Sequence, residues 1–252
     1  MKSIVLSIAL LTSFLSAEEL PIKKIKTIKT NKHIEPSGLT LFQDNLLLVS
    51  DNGRICNISY KSCIKFKEKY DLEGITNDKE NIYIAIEGED SINQIDENLN
   101  IVKKFLIPRI TDNTLILSEG GDGIEGLTYL YDKNDKKYFA ISNQSDYLSG
   151  PDSSRIIIIS IDKTDFVRIE YAADMPYTDI SALYYKDNIL YALSDSNNKL
   201  LLLRENNGYF KIYKEYDIPG KDQEGLVVKG KTLFIAQDSG DILKIKLKRK
   251  LN

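Results

Sequence analysis

Five short stretches of this chain share one pattern, and that repetition restricts the fold more than any other feature. They read "PSGLTLF" from Pro36, "LEGITND" from Leu72, "IEGLTYL" from Ile124, "ISALYYK" from Ile180 and "QEGLVVK" from Gln223. A second apolar strand follows each within two to nine residues: "NLLLVSD", "NIYIAIEG", "KYFAISN", "NILYALSD" and "TLFIAQD". A third comes next: "RICNIS", "SINQID", "RIIIISI", "KLLLLRE" and "DILKIKL". Four units carry a fourth, more polar strand: "CIKFKEKY", "NIVKKFLIP", "FVRIEYAAD" and "FKIYKEYDIP". The equivalent positions Gly38, Gly74, Gly126, Ala182 and Gly225 lie 36, 52, 56 and 43 residues apart. Units of that size with four short strands are the signature of propeller blades. Residues 93–122 and 142–154 are the longer excursions and read as loops on one face.

The fifth unit ends at "KLKRKLN" without an outer strand, while "IKKIKTIKT" (22–30) alternates like a strand and has no unit of its own. Pairing the two closes the ring and removes the open edges of a linear array. The expectation is an all-β, five-bladed β-propeller with four-stranded blades, closed by its N-terminal strand. An independent N-terminal arm is the alternative.

"MKSIVLSIALLTSFLSA" has one Lys, about a dozen mostly apolar residues and then small residues before "EEL". That is the layout of a secretory signal peptide cut after Ala17. The run is too short, and too soon followed by charge, for a membrane span. Residues 1–17 are therefore expected to be the signal peptide and 18–252 one propeller domain, periplasmic or secreted. Cys56 and Cys63 fit that compartment: if "RICNIS" and "KSCIKF" form a hairpin turning at Ser59–Tyr60, the two face each other and can form a cross-strand disulfide. A net charge of −3, with acids and bases interleaved along the chain, gives no sign of a nucleic-acid partner.

The repeated Glu-Gly pair needs a reason, since neither residue favours strands. The first strand of a propeller blade lines the central channel. Side chains alternate along it, so Asp71, Glu73 and Ile75 are expected on one face. Glu73, Glu125 and Glu224 would then converge from three blades, with Ser37 and Ser181 completing a polar ring. Carboxylates about 5 Å apart repel by roughly 3 kcal/mol per pair at an effective dielectric near 20. Either they take up protons, or a cation sits among them. Oxygen ligands without His or Cys suit Ca²⁺ better than Mg²⁺. The single His33 lies beside the closing strand and supplies no imidazole site. Solvated glutamates at a wide channel mouth are the plainer reading. The turn residues Asp51, Glu87, Asn143, Asp195 and Asp238 are explained by turn chemistry alone.

The motifs "EPSGLTLF", "DLEGIT", "GIEGLTYL", "DISALYY" and "DQEGLVV", with "LLLVSDNG" and "LYALSDSNN" as second strands, resemble the SdiA-regulated family of bacterial exported propellers, itself distantly similar to NHL-repeat proteins. The resemblance spans the mature chain. It implies a five-bladed propeller with calcium in the channel, held by Glu73, Glu125 and Glu224. Ala182 and the "SNQSDYLSGPDSSR" insertion depart from the family pattern.

Three functions remain open. One is a Ca²⁺-stabilised envelope module that binds a protein or small molecule. Another is a Ca²⁺-dependent phytase-, esterase- or lactonase-like hydrolase. The third is a purely structural propeller. The chain has no GxSxG and no His positioned to shuttle protons, so its catalytic residues are not legible.

Overall fold

The computed structural model describes residues 17–30, 33–66, 68–111, 114–117, 123–143, 145–150 and 153–251. Most of the proposed signal peptide, 1–16, lies outside them. The strands form five antiparallel blades around a central axis, each running outward from an inner strand. Blade one comprises Pro36–Phe42, Asn45–Ser50, Arg54–Asn57 and Ser62–Lys65, and blade two Leu72–Asn77, Ile82–Ile86, Ser91–Ile95 and Ile101–Leu106. Blade three comprises Ile124–Lys133, Lys136–Asn143, Arg155–Ile161 and Val167–Asp174, and blade four Ala182–Lys186, Ile189–Ser194, Lys199–Asn206 and Tyr209–Asp217. Blade five comprises Gln223–Lys229, Thr232–Gln237 and Asp241–Leu247, completed by Ile22–Lys29.

The closing strand pairs antiparallel with the last strand, from Lys29 opposite Asp241 to Ile22 opposite Leu247. Blade five is thus held by hydrogen bonds between the two ends of the chain. Just upstream, Glu18–Glu19 adds in parallel to the outer strand of blade four, with Glu18 opposite Tyr216. A Lys214–Glu18 ion pair of 3.1 Å accompanies it. This second stitch was not anticipated from the sequence.

The middle strands are near-continuous apolar runs, such as "RIIIISI" and "ILYALS", because they are covered on both faces. Their side chains fill five layers, one between each neighbouring pair of blades. Leu48 and Ile242 meet between blades one and five, and Leu193 and Ile245 between four and five. Tight hairpins join inner to second strands. Asn134–Asp135 and Asp187–Asn188 take positive φ at both central positions, the primed turn that suits twisted antiparallel pairs.

The segment 93–122, read as a loop, instead contains the outer strand of blade two and a hairpin pairing Ile110–Thr111 with Thr114–Leu115. The "NIVKKFLIP" strand accounts for the first of these. The hairpin is too short to show a period. Within 142–154, Tyr147 and Ser153 form an isolated bridge. Cys56 and Cys63 lie directly opposite each other in the blade-one hairpin and are disulfide-bonded.

Candidate functional site: an acidic channel mouth

Ser37, Glu73, Glu125, Ser181 and Glu224, one from each blade, line one small cavity on the axis. The next residues, Gly38, Gly74, Gly126, Ala182 and Gly225, line it too, followed by Leu39, Ile75, Leu127, Leu183 and Leu226. These five aliphatics are 1–4% exposed, so the axis holds apolar side chains beside the carboxylates rather than an open pore. The free volume is about 10 Å³, the space of a single water-sized sphere.

Strict alternation fails at the Glu-Gly pair, and the failure is informative. The ladder slips between Leu72 and Ile75, between Ile124 and Leu127, between Gln223 and Gly225, and between Pro36 and Gly38. Four inner strands thus carry a bulge at the repeated motif, a device that re-aims a side chain. In blade four, where Ala replaces Gly, the strand begins at Ala182 and has no slip. At Gly74 a Cβ would lie 2.8 Å from the Glu125 carbonyl and 2.6 Å from Leu127 Cβ. Glycine lets neighbouring inner strands approach closely enough for their glutamates to share one space.

Beside that ring stand two further tiers, acidic in four of the five blades. Two residues before each ring position lie Glu35, Asp71, Gly123, Asp179 and Asp222. Asp51, Glu87, Asp195 and Asp238 directly follow the second strands of their blades, and in blade three the second strand ends on Asn143. Four blades tie these tiers together by the same backbone bond: the amide of Asp51, Glu87, Asp195 or Asp238 donates to the carbonyl of Glu35, Asp71, Asp179 or Asp222, at 2.9–3.3 Å. Blade three departs from the pattern. Its Asn143 accepts from the Arg155 amide (2.7 Å) and donates to the Ser153 carbonyl (3.2 Å), which fixes the long insertion instead.

Burial and mutual repulsion raise the pKa values of seven carboxyl groups at this mouth. Glu125 is 7% exposed and is raised by burial, then by Asp179, despite lying within hydrogen-bonding reach of Glu73. Glu73 is raised by burial, Glu125 and Asp51. Glu224 is pushed up to about 9 by burial, then by Glu125 and Asp179. Asp71 rises to about 6 through burial, Asp51 and Glu87. Asp51, Asp179 and Asp195 are also raised, chiefly by burial. At neutral pH such a cluster holds protons or holds a cation.

The three glutamates share the axial cavity as expected from the sequence. Among the described residues, however, the trio whose carboxylate oxygens come within 4.8 Å of one another is Asp51, Asp71 and Glu73. Asp71 Oδ1 is buried and has no hydrogen-bond partner. The two serines turn to neighbours: Ser37 donates to Asp51 Oδ1, and Ser181 donates to the Gln223 carbonyl at 2.5 Å. His33 is exposed. Sequence reasoning placed Asp71 on the face of Glu73 but did not count it as a ligand, and it read Asp51 only as a turn residue. The signal was present in the acidic position two residues before each ring residue, which recurs in four of the five motifs.

The description of the phytase-like family, given as the esterase-like activity of phytase, matches residues 61–238. That segment runs from the outer strand of blade one to the second strand of blade five and contains all three glutamates. The chain belongs to the phytase-like family. Within solved structures, this phytase-like chain is similar to the glutaminyl cyclase of Myxococcus xanthus, at 13% identity and a TM-score of 0.60, covering 91% of this chain and 98% of that one. It is also similar to the virginiamycin B lyase of Staphylococcus aureus, at 13% identity and a TM-score of 0.52, covering 89% and 99%. At such identities the likeness shows the shared propeller fold alone. No curated protein matches the phytase-like chain.

Proposed function

We propose that this phytase-like propeller is exported, binds Ca²⁺ at the acidic mouth of its channel, and acts there as a binding module of the cell envelope. The observation that carries the reading is the convergence of Glu73, Glu125 and Glu224 beside Asp51 and Asp71, with no basic group in the cavity lining. The donor set fits the ion: it is all oxygen, as a hard cation requires, and one buried oxygen, Asp71 Oδ1, lacks a partner. Glu73, Asp51 and Asp71 would hold the ion, with Glu125 and Glu224 supplying further negative charge. A bound Ca²⁺ supplies positive charge that an oxygen atom of a small molecule or protein can meet. The chain's own part is to space the carboxylates by its bulges and to keep water from the apolar side with Leu39, Ile75, Leu127, Leu183 and Leu226. The disulfide is consistent with an exported location, periplasmic or secreted. The likeness to SdiA-regulated propellers belongs to this reading.

Membership of the phytase-like family favours a second reading, hydrolysis of an ester assisted by the ion. The mouth offers carboxylates as bases, and Glu125 or Glu224, which are not among the residues that would hold the ion, would take that part.

The deciding experiment is calorimetric titration of chelator-treated protein with Ca²⁺ and with Mg²⁺, on wild type, Asp71→Asn and Glu125→Gln. Saturable Ca²⁺ binding, weaker for Mg²⁺ and reduced at least about tenfold in either variant, supports the site. No heat and no shift of the melting midpoint with Ca²⁺ would sink it. Turnover of carboxylic or phosphate esters by the loaded protein, lost on chelation, would replace the binding reading with the hydrolytic one.

A further inference from the structure

The bases and acids interleave along the sequence, but the fold separates them. Residues 18–70 and 218–252, which build blades one and five, hold 18 Lys and Arg against 10 Asp and Glu. Residues 71–217, which build blades two to four, hold 15 against 27. The disc is therefore basic on one side and acidic on the other.

The basic side is most concentrated on the two outer strands of blade five. Lys24 stands directly opposite Lys246, and Lys26 opposite Lys244. All four are exposed, and among the described residues none has a carboxylate partner in an ion pair. They share a sheet face with Ile28 and Ile242, which pack into the layer against blade one. Blade one extends the patch with exposed Lys61 and Lys65 on its outer hairpin. Like charges placed directly opposite one another destabilise a sheet. Lys244 lies over the Phe234 ring, 5.3 Å from its centroid, which offsets part of that cost, but two such pairs in succession are more than this one contact explains. Edge lysines can guard a strand against unwanted pairing. Lys244 and Lys246, however, lie on a strand that is paired on both sides and has no edge to guard. Ile25 and Ile64, on the outer strands of these two blades, are 41% and 57% exposed. They project from the other sheet faces: Ile25 lies opposite Ile245, on the blade-four side, and Ile64 opposite Ile55, on the blade-two side.

We propose that the rim formed by the outer strands of blades five and one docks onto an anionic phospholipid surface. Approached edge-on, these outer strands present lysines from one face and exposed aliphatics from the other, which meet both the charge and the apolar boundary of such a surface, whereas a nucleic-acid backbone offers only charge. Docking by the rim leaves the acidic mouth, on the axis of the disc, free of the anionic membrane that would repel it. The proposal does not depend on the channel binding calcium.

The test is sedimentation of the full chain with vesicles of phosphatidylcholine alone and with about 30% phosphatidylglycerol, at low and at moderate salt. Wild type is expected to partition onto the anionic vesicles only, and less so as salt rises. Each lysine near the surface contributes roughly a five-fold gain in partition, so the variant Lys24→Gln, Lys26→Gln, Lys244→Gln, Lys246→Gln is expected to lose more than about a hundred-fold. Its melting midpoint is expected to equal or exceed that of wild type, because the opposed charges are gone. A matched variant elsewhere on the disc, on blades two and three (Lys103→Gln, Lys133→Gln, Lys136→Gln, Lys163→Gln), is expected to bind as wild type does. Equal retention by both vesicle types, no salt dependence, or unchanged binding by the blade-five variant overturns the proposal. So does binding of short duplex DNA in place of vesicles. Should the quadruple variant fail to fold, Lys246→Gln alone is expected to show the five-fold loss, and its absence overturns the proposal equally.

Discussion

Without a cation, stability should fall as pH rises, and the direction follows from the channel carboxylates. Glu224 is pushed up to about 9 in the folded chain, chiefly by burial, against roughly 4.3 when unfolded. Between those values the folded state holds a proton that the unfolded state releases. The free energy of unfolding then drops by about 1.36 kcal/mol per pH unit for each such group. From pH 6 to 8, Glu224 alone removes about 2.7 kcal/mol. At roughly 2–4 °C per kcal/mol for a chain of this size, the midpoint falls by about 5–10 °C. Glu73 and Glu125 are raised in the same direction and make the fall larger. On the proposed reading, Ca²⁺ would take the place of the protons, so its stabilising effect should grow over the same range. The assay is a set of thermal melts at pH 6, 7 and 8, with chelator and with Ca²⁺. Glu224→Gln should flatten the chelator series by about 1.4 kcal/mol per unit. A midpoint that stays level or rises with pH in chelator would refute the argument that these carboxylates are crowded and buried together.

Two further outcomes test the architecture. Gly74→Ala sets a Cβ 2.8 Å from the Glu125 carbonyl of the next blade, a backbone atom that cannot swing away. It should cost about 2–4 kcal/mol by overpacking, read from urea melts, while Ala182→Gly should cost less than about 1 kcal/mol. Cys56→Ser with Cys63→Ser opens a loop of sequence separation 7 and should lower stability by about 2 kcal/mol without changing Ca²⁺ affinity, since the bridge lies on the outer hairpin of blade one.

Much of this was legible because each blade repeats the same local chemistry. The middle strands are apolar on both faces, the outer strands alternate, and a period near 47 residues survives insertions. The closing strand could be read from its lack of neighbours in sequence. What could not be read depended on a third dimension. The parallel stitch at Glu18–Glu19 involves only two residues, which have no period. The bulges at the Glu-Gly pairs defeat simple alternation, so counting by twos located the glutamates without showing how they are aimed. Asp51 reaches Asp71 and Glu73 only because blades one and two are adjacent, and turn chemistry was a sufficient account of it until that contact was seen. The basic rim likewise arises from two ends of the chain, each of which is unremarkable alone.

The same closure sets an order of events during synthesis. Lys29 and its partner Asp241 are 212 residues apart, so an early strand is completed by a much later one. At roughly 5–20 residues per second the early strand waits on the order of 10–40 s for its mate. Blades one to four can gather their layers meanwhile, but the disc has a gap until the C-terminus arrives. A deletion of Asp241–Leu247, which spares every channel residue, leaves a ring that cannot shut.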